Sequence, residues 1–378
     1  NVPPETNDVR VRYLEDALAP VFEYAGFRSR VETSFASGRD VLVTTESSND
    51  YRYFLFVPEL DGEFPVYSAG TYILRRRTSD GGVDQLKIFL RSDPDFFVRI
   101  RPEAGPSAAT STGRSLLSLF VAGVEIHRMV PLPVSIETLL AEPFERIVDL
   151  TDMRVDWSTI YPDTGDPGHR TVALVAERAR SMLHTLPDAE DGAMDEHGNL
   201  VLIESLVLQE DASAAEPGFN CSGFAKWIVD GLYSGRYGGF LPIEPLVTKH
   251  LELRGHRWSE AQEDARDPYF GLDWTRNLAT ALLSAVQGGG DVHPEAADVR
   301  SVPHATYVED VGFPVERLPL VLYLLAQREP GHLYLASLNR SFGTSPTLHQ
   351  YVHVAVLFPY FDGTGHFRVS VMERNVVT

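Results

Sequence analysis

The sequence predicts an α+β protein with a β-rich N-terminal domain and a C-terminal domain in which helices precede an antiparallel sheet. Three observations lead to this prediction. Short β-rich runs separated by turn signals fill residues 40–127, a helical pattern begins at Cys221, and two β-rich runs flank Gly363 near the carboxyl end. We therefore expect two domains, at residues 1–140 and 145–378.

The N-terminal domain begins with an amphipathic pattern at residues 8–27, which predicts a helix. Runs rich in β-branched and aromatic residues follow and predict strands. These runs are residues 41–44, 51–57, 71–74, 86–90 and 96–100. Several short strands separated by turn clusters are typical of a sandwich or a barrel-like domain. Residues 105–115 have the composition of a loop.

The composition argues against several classes of function. The chain has 378 residues, of which 43% are hydrophobic, and a formal net charge of −20. This negative charge argues against nucleic-acid binding, because phosphate recognition needs a basic surface. No apolar run has the length of a membrane-spanning helix. No zinc-ligand spacing occurs, and we expect neither a metal nor another cofactor.

Cys221 is the only cysteine of the chain and is predicted to lie in the first turn of a helix. Asn220 is a favoured N-cap residue, and apolar residues follow the cysteine at helical spacing. The free N–H groups and the positive end of the helix dipole stabilise a thiolate there. The N–H groups of Cys221 and Ser222 are candidates for binding an oxyanion. A lone cysteine can also be a small buried apolar residue, and this alternative remains open.

The carboxyl-terminal hairpin contains the candidate general base. Residues 352–358 and 367–375 are β-rich, and folding them about Gly363 and Thr364 places His353 opposite the segment 373–375. In this segment Glu373 and Asn375 share one face, because they are two residues apart. A thiol nucleophile needs an imidazole to take its proton, and the imidazole needs an acceptor on its other nitrogen.

Two segments resemble known enzymes. Gly218-Phe219-Asn220-Cys221-Ser222-Gly223-Phe224 resembles the nucleophile motif of the NlpC-type cell-wall peptidases, a papain-like group. Val371-Met372-Glu373-Arg374-Asn375 resembles the second strand of the related CHAP amidases. The resemblance implies a papain-like cysteine hydrolase domain at residues 145–378, with a helical insertion at about residues 235–325.

The resemblance also implies the roles of the site residues. Cys221 would be the nucleophile, His353 the base, Glu373 the acceptor that orients the base, and Asn375 its helper. His332 is an alternative base, because it also begins an apolar strand.

The implied reaction is hydrolysis of an amide bond in peptidoglycan stem peptides through an acyl-enzyme on Cys221. The substrate would be peptidoglycan or a peptide, and the β-rich domain would position the enzyme or recognise its target. We expect an exported bacterial envelope protein whose upstream signal has been removed.

Two alternatives remain open. One is an acyltransferase or a lipid-directed thiol enzyme of the same fold, because the Tyr and paired Gly that often precede the cysteine are absent from residues 200–217. The other is a non-catalytic binding protein of the cell envelope that uses the β-rich domain.

Overall fold

The computed structural model describes residues 3–104, 111–212, 217–258, 271–374 and 376–377. It confirms an α+β protein with antiparallel sheets. The chain divides into two compact units, Asn1–Pro162 and Asp163–Thr378.

The division between the units lies after Pro162, further along the chain than the expected boundary between residues 140 and 145. Two short helices, α3 (Ile136–Ala141) and α4 (Phe144–Asp149), belong to the first unit. The buried guanidinium of Arg10 donates from Nε to the carbonyl oxygen of Leu140 at 2.9 Å. The backbone N–H of Phe144 donates to Oε2 of Glu5 at 2.7 Å. These contacts hold α3 and α4 to the start of the chain.

The first unit is built on one antiparallel sheet of eight strands in chain order. The strands are β1 (Arg30–Thr33), β2 (Asp40–Ser47), β3 (Tyr51–Pro58), β4 (Tyr72–Arg77), β5 (Val83–Phe89), β6 (Phe97–Ala104), β7 (Ser111–Val121) and β8 (Val124–Leu132). The five predicted runs coincide with β2 to β6. Residues 111–115, which were expected to belong to a loop, begin β7 instead.

One face of this sheet forms the hydrophobic core of the first unit. Alternate residues of its central strands are fully buried, namely Phe54, Phe56, Leu74, Leu86, Ile88, Val98, Ile100, Leu117 and Leu119. Helix α3 contacts β5 and β6, and the helices α1 (Asn7–Arg12) and α2 (Leu14–Leu18) contact α3.

The predicted single helix at residues 8–27 is wrong. The segment forms α1, α2 and a 3₁₀ helix at Val21–Gly26. Pro20 disfavours the helical conformation of the preceding residue, and Ala19 is extended with φ −56° and ψ 161°. The apolar face also differs from the expected one, because Val11 is 51% exposed while Val9 is buried.

The second unit combines a four-stranded antiparallel sheet, a short hairpin and four described helices. The sheet has the order β11 (Tyr334–Phe342), β12 (Leu348–Phe361), β13 (Phe367–Glu373), β14 (Val376–Val377), and the hairpin pairs β9 (Ala193–Met194) with β10 (Leu200–Val201). The helices are α5 (Pro167–Met182), α6 (Cys221–Tyr237), α7 (Leu272–Val286) and α8 (Leu318–Arg328). Further 3₁₀ turns lie at Trp157–Ile160 in the first unit and, in the second, at Leu183–Thr185, Glu244–Val247, Leu251–Leu253, Pro294–Ala297 and Val315–Arg317.

Helix α6 packs against β12 and α7 in the core of the second unit. The fully buried indole of Trp274 donates from Nε1 to the carbonyl oxygen of Ser222 at 3.1 Å. Residues 235–325, which were expected to be an insertion, thus supply a core helix that contacts the cysteine helix directly. In the described part of the chain, no helix combines the length and the apolar character that a membrane crossing requires.

Candidate active site

Helix α6 begins at Cys221, as the sequence predicts. Oδ1 of Asn220 caps the first turn by accepting a hydrogen bond from the N–H of Gly223 at 2.8 Å. Cys221 is 9% exposed, and the side chains of the next turns pack into the core. Within the described residues, the N–H groups of Cys221 and Ser222 have no backbone or side-chain acceptor. The cysteine therefore lies beside two free donors at the positive end of a helix.

The segment before the cysteine is held by Gln209, a residue that no sequence motif indicates. The amide of this buried residue donates from Nε2 to the carbonyl oxygens of Asp191 and Gly218, each at 3.0 Å. Its Oε1 accepts from the N–H of Gly218 at 2.7 Å. This double contact fixes the backbone three residues before the sulfur. The polar type of a glutamine gives no sequence signal for such a buried role.

The first turn of α6 lies against the backbone of another loop. The N–H of Asn220 donates to the carbonyl oxygen of Gly192 at 3.2 Å. A side chain at Gly223 would collide with the backbone of Gly192 and with Ala193. The glycine of the motif is therefore required by this close approach rather than by an unusual φ angle.

We expect the substitution Gly223→Ala to destabilise the protein by about 1–3 kcal/mol, because its methyl group would overpack a rigid backbone contact. Gly231→Ala is the matched control. It lies in the same helix with no atom near its new methyl group, so it should stabilise by about 0.5–1 kcal/mol. Urea unfolding of both variants measures the difference, and equal midpoints would refute the steric role of Gly223.

His353 lies on β12 beside the sulfur. Its imidazole and the backbone N–H of Val354 lie near enough to the sulfur of Cys221 to lower the pKa of the thiol. The ring nitrogen Nε2 is buried and lies 3.4 Å from Oε2 of Glu373. This approach is an ion-pair distance but falls short of hydrogen-bond geometry.

The electrostatics of the site shift the pKa values of Cys221 and His353 in opposite directions. Burial raises the pKa of the Cys221 thiol, but the hydrogen bonds from His353 and Val354 and the charges of His353 and Arg374 outweigh it. The net pKa of the thiol is therefore lowered. The hydrogen bond with Cys221 raises the pKa of His353 against the effect of burial, with further support from the Glu373 carboxylate.

Arg374 is a further charged residue of the site. Its guanidinium donates from Nη2 to the carbonyl oxygen of Ala189 at 3.1 Å, and Nη1 lies 3.7 Å from Oδ2 of Asp188. Its backbone has a φ of 53°, which is uncommon for a residue with a side chain. The charge lowers the pKa values of both Cys221 and His353. Arg374 lies within the segment 371–375 that resembles the CHAP strand, and the resemblance implies no role for it.

His332, the alternative base, has a partner other than the sulfur. Nδ1 of His332 is 3.0 Å from the carbonyl oxygen of Glu329 in a local turn, and no contact with Cys221 accompanies it in the described structure. Asn375 lies outside the described residues. Among the described residues, no three His, Cys, Asp or Glu side chains are grouped to bind a metal ion.

The hairpin has nearly the predicted register. Its pairs run from Phe361 with Phe367 to Val356 with Met372, so the turn is symmetric about Thr364 rather than about the bond between Gly363 and Thr364. On its other side, β12 pairs His353 with Leu338, and the register shifts at the next residue of β11. This irregularity lies beside the candidate base.

The first unit is similar to a domain of unknown function (DUF8515), whose family model matches residues 2–159. The match ends before Cys221, so it does not include the candidate site. No curated protein and no solved structure matches the chain.

Proposed function

We propose that the second unit is a papain-like thiol hydrolase that cleaves amide bonds in peptidoglycan stem peptides. The observation that carries this proposal is the proximity of the lone thiol to the imidazole of His353, whose Nε2 lies 3.4 Å from a carboxylate oxygen of Glu373. Together these groups form the nucleophile, base and orienting acceptor that thiol catalysis needs. The substrate class is supported by the resemblance of residues 218–224 to the NlpC-type motif.

The reaction begins when Sγ of Cys221 attacks the carbonyl carbon of the substrate amide. The N–H groups of Cys221 and Ser222 are placed to stabilise the oxyanion. The imidazolium of His353 then gives its proton to the leaving amine, and the C–N bond breaks to leave a thioester on the sulfur.

The second half of the reaction restores the enzyme. His353 takes a proton from a water molecule, whose oxygen attacks the thioester carbonyl. The C–S bond breaks, the new carboxylic acid leaves, and the proton on the imidazole re-forms the ion pair with the thiolate. The Glu373 carboxylate stabilises the ring whenever it carries its second proton.

Digestion of purified muropeptides tests the proposal. The wild-type protein should convert them to products that have gained one water molecule for each bond cut, as measured by mass spectrometry. Cys221→Ala should leave them unchanged, because the variant has no nucleophile. Unchanged muropeptides in both samples would reject the peptidoglycan substrate, and products in both samples would reject Cys221 as the nucleophile.

A second candidate is an acyltransferase or lipid-directed enzyme with the same nucleophile. The consecutive residues Leu206, Val207 and Leu208 are each at least 40% exposed, and they precede Gln209, which contacts the segment before the cysteine. Exposed apolar residues are typical of surfaces that contact apolar partners, and this favours an apolar acyl group. Transfer of the acyl group from a thioester donor to an added amine, rather than to water, would support this candidate over the hydrolase.

A further inference from the structure

The eight-stranded sheet of the first unit has a row of cationic side chains on the face opposite to its core. We call Arg75, Lys87, Arg99 and Arg101 the cationic row. They alternate along β4, β5 and β6 with fully buried apolar residues, so they point away from the core. The side chains of Arg75 and Arg99 are 24% and 27% exposed.

The cationic row is electrostatically unfavourable for the isolated sheet. Lys87 pairs directly with Arg99 across β5 and β6, and like charges in this position destabilise a sheet. Burial and the charges of Arg101 and Arg75 lower the pKa of Arg99, with Glu125 opposing them. Asp84 lies 2.5 Å from Arg75 and Glu125 lies 3.1 Å from Arg99, whereas within the described ranges Lys87 has no carboxylate at ion-pair distance. Positive charge is therefore only partly compensated there, in a chain whose net charge is −20.

Two phenylalanine rings hold the central cations in place. The rings of Phe97 and Phe120 stack with centroids 4.4 Å apart and an interplanar angle of 12°. Nζ of Lys87 lies 3.7 Å from the centroid of Phe97, and Cζ of Arg99 lies 4.7 Å from that of Phe120. Each ring thus has the other ring against one face and a cation against the other face. A nucleic-acid base or a sugar ring, which would bind by stacking, has no free face on this pair.

We propose that the cationic row binds a peptide that carries two or more carboxylates. The positive charge of the cationic row complements the negative charge of such a peptide. The phenylalanine rings already order the cations, which lowers the entropy cost of binding. Carboxylates bind through the cationic groups alone and need no free ring face. This inference concerns the first unit and does not rest on the reaction at Cys221, although an acidic stem peptide is a ligand of this kind.

Calorimetric titration of the full chain tests the proposal. Cys221→Ala protein is used so that binding is measured without turnover. The probes are the peptide acetyl-Glu-Glu-Glu-amide, its neutral analogue acetyl-Gln-Gln-Gln-amide, trigalacturonate and a short oligothymidylate. We expect the acidic peptide to bind most tightly, and added salt to weaken its binding.

Lys87→Met and Arg99→Gln should each weaken binding of the acidic peptide about tenfold or more, because each removes a charge-assisted contact. Arg39→Gln is the charge-matched control, since Arg39 is exposed outside the cationic row, and it should bind as the unsubstituted protein does. If a substitution lowers the melting temperature, Arg75→Gln replaces it. The proposal would be overturned if the acidic peptide did not bind, or if Arg39→Gln weakened its binding as much as Lys87→Met and Arg99→Gln do. Tighter binding of trigalacturonate or oligothymidylate than of the acidic peptide would also overturn it.

Discussion

Replacing His353 with alanine is expected to lower the rate of amide hydrolysis by about three orders of magnitude, within the range for loss of a general acid and base. Two effects combine in this result. The variant has no group to protonate the leaving amine, and the thiol loses the hydrogen bond that lowers its pKa. The measurement is kcat/KM on the muropeptide that the wild-type protein cleaves fastest.

His332→Ala is the matched control for this experiment. His332 is also a histidine of the second unit near the start of a strand, but it contacts the carbonyl oxygen of Glu329 instead of the sulfur. The control variant should keep wild-type activity. A large loss in His332→Ala with little loss in His353→Ala would make His332 the base and contradict the proposed site.

Replacing Lys226 with methionine is expected to cost about 3–5 kcal/mol of stability, because it leaves a buried carboxylate without its partner. Lys226 and Asp230 lie one turn apart on α6 with side chains that are 0% and 1% exposed, and Nζ is 2.6 Å from Oδ2. Oδ1 of Asp230 still accepts from the N–H of Leu241 at 2.9 Å. Urea unfolding at neutral pH measures the loss.

The pH dependence and a second substitution separate the lost charge from lost packing. Burial raises the pKa of Asp230, and losing the lysine raises it further. A carboxyl whose pKa is higher in the folded state favours folding when protonated, so the stability deficit should shrink as the pH falls through that raised pKa. Lys226→Met combined with Asp230→Asn should recover most of the loss, because the amide still accepts from Leu241. A deficit that is independent of pH and remains in the double variant would contradict the electrostatic explanation.

The sequence predicts the parts of the structure that depend on local patterns. The cap at Asn220, the helix from Cys221 and the strands β2 to β6 follow from residue types and their spacing. The turn at Gly363 and Thr364 and the alternation of apolar residues predict the register of β12 against β13 to within one residue.

The rest of the structure depends on contacts between distant residues, which one sequence does not reveal. Packing against α3 decides which face of α1 is buried. Pro20 ends the helical conformation although the apolar pattern continues beyond it. Arg374 adopts a positive φ directly after β13, and its charge acts on Cys221, which no local pattern predicts. Gln209 joins two loops through a buried amide, and its polar type alone would place it on the surface.

The pH profile of Cys221 alkylation tests the ion pair at the centre of the site most directly. Iodoacetamide reports on one residue, because the chain has no other cysteine. The wild-type thiol should react at pH values below the ordinary thiol pKa of about 8.5, since its thiolate persists until the pH falls through the lowered pKa. His353→Ala should move the midpoint to higher pH. Identical midpoints in the two proteins, at or above the ordinary value, would contradict a nucleophile activated by His353.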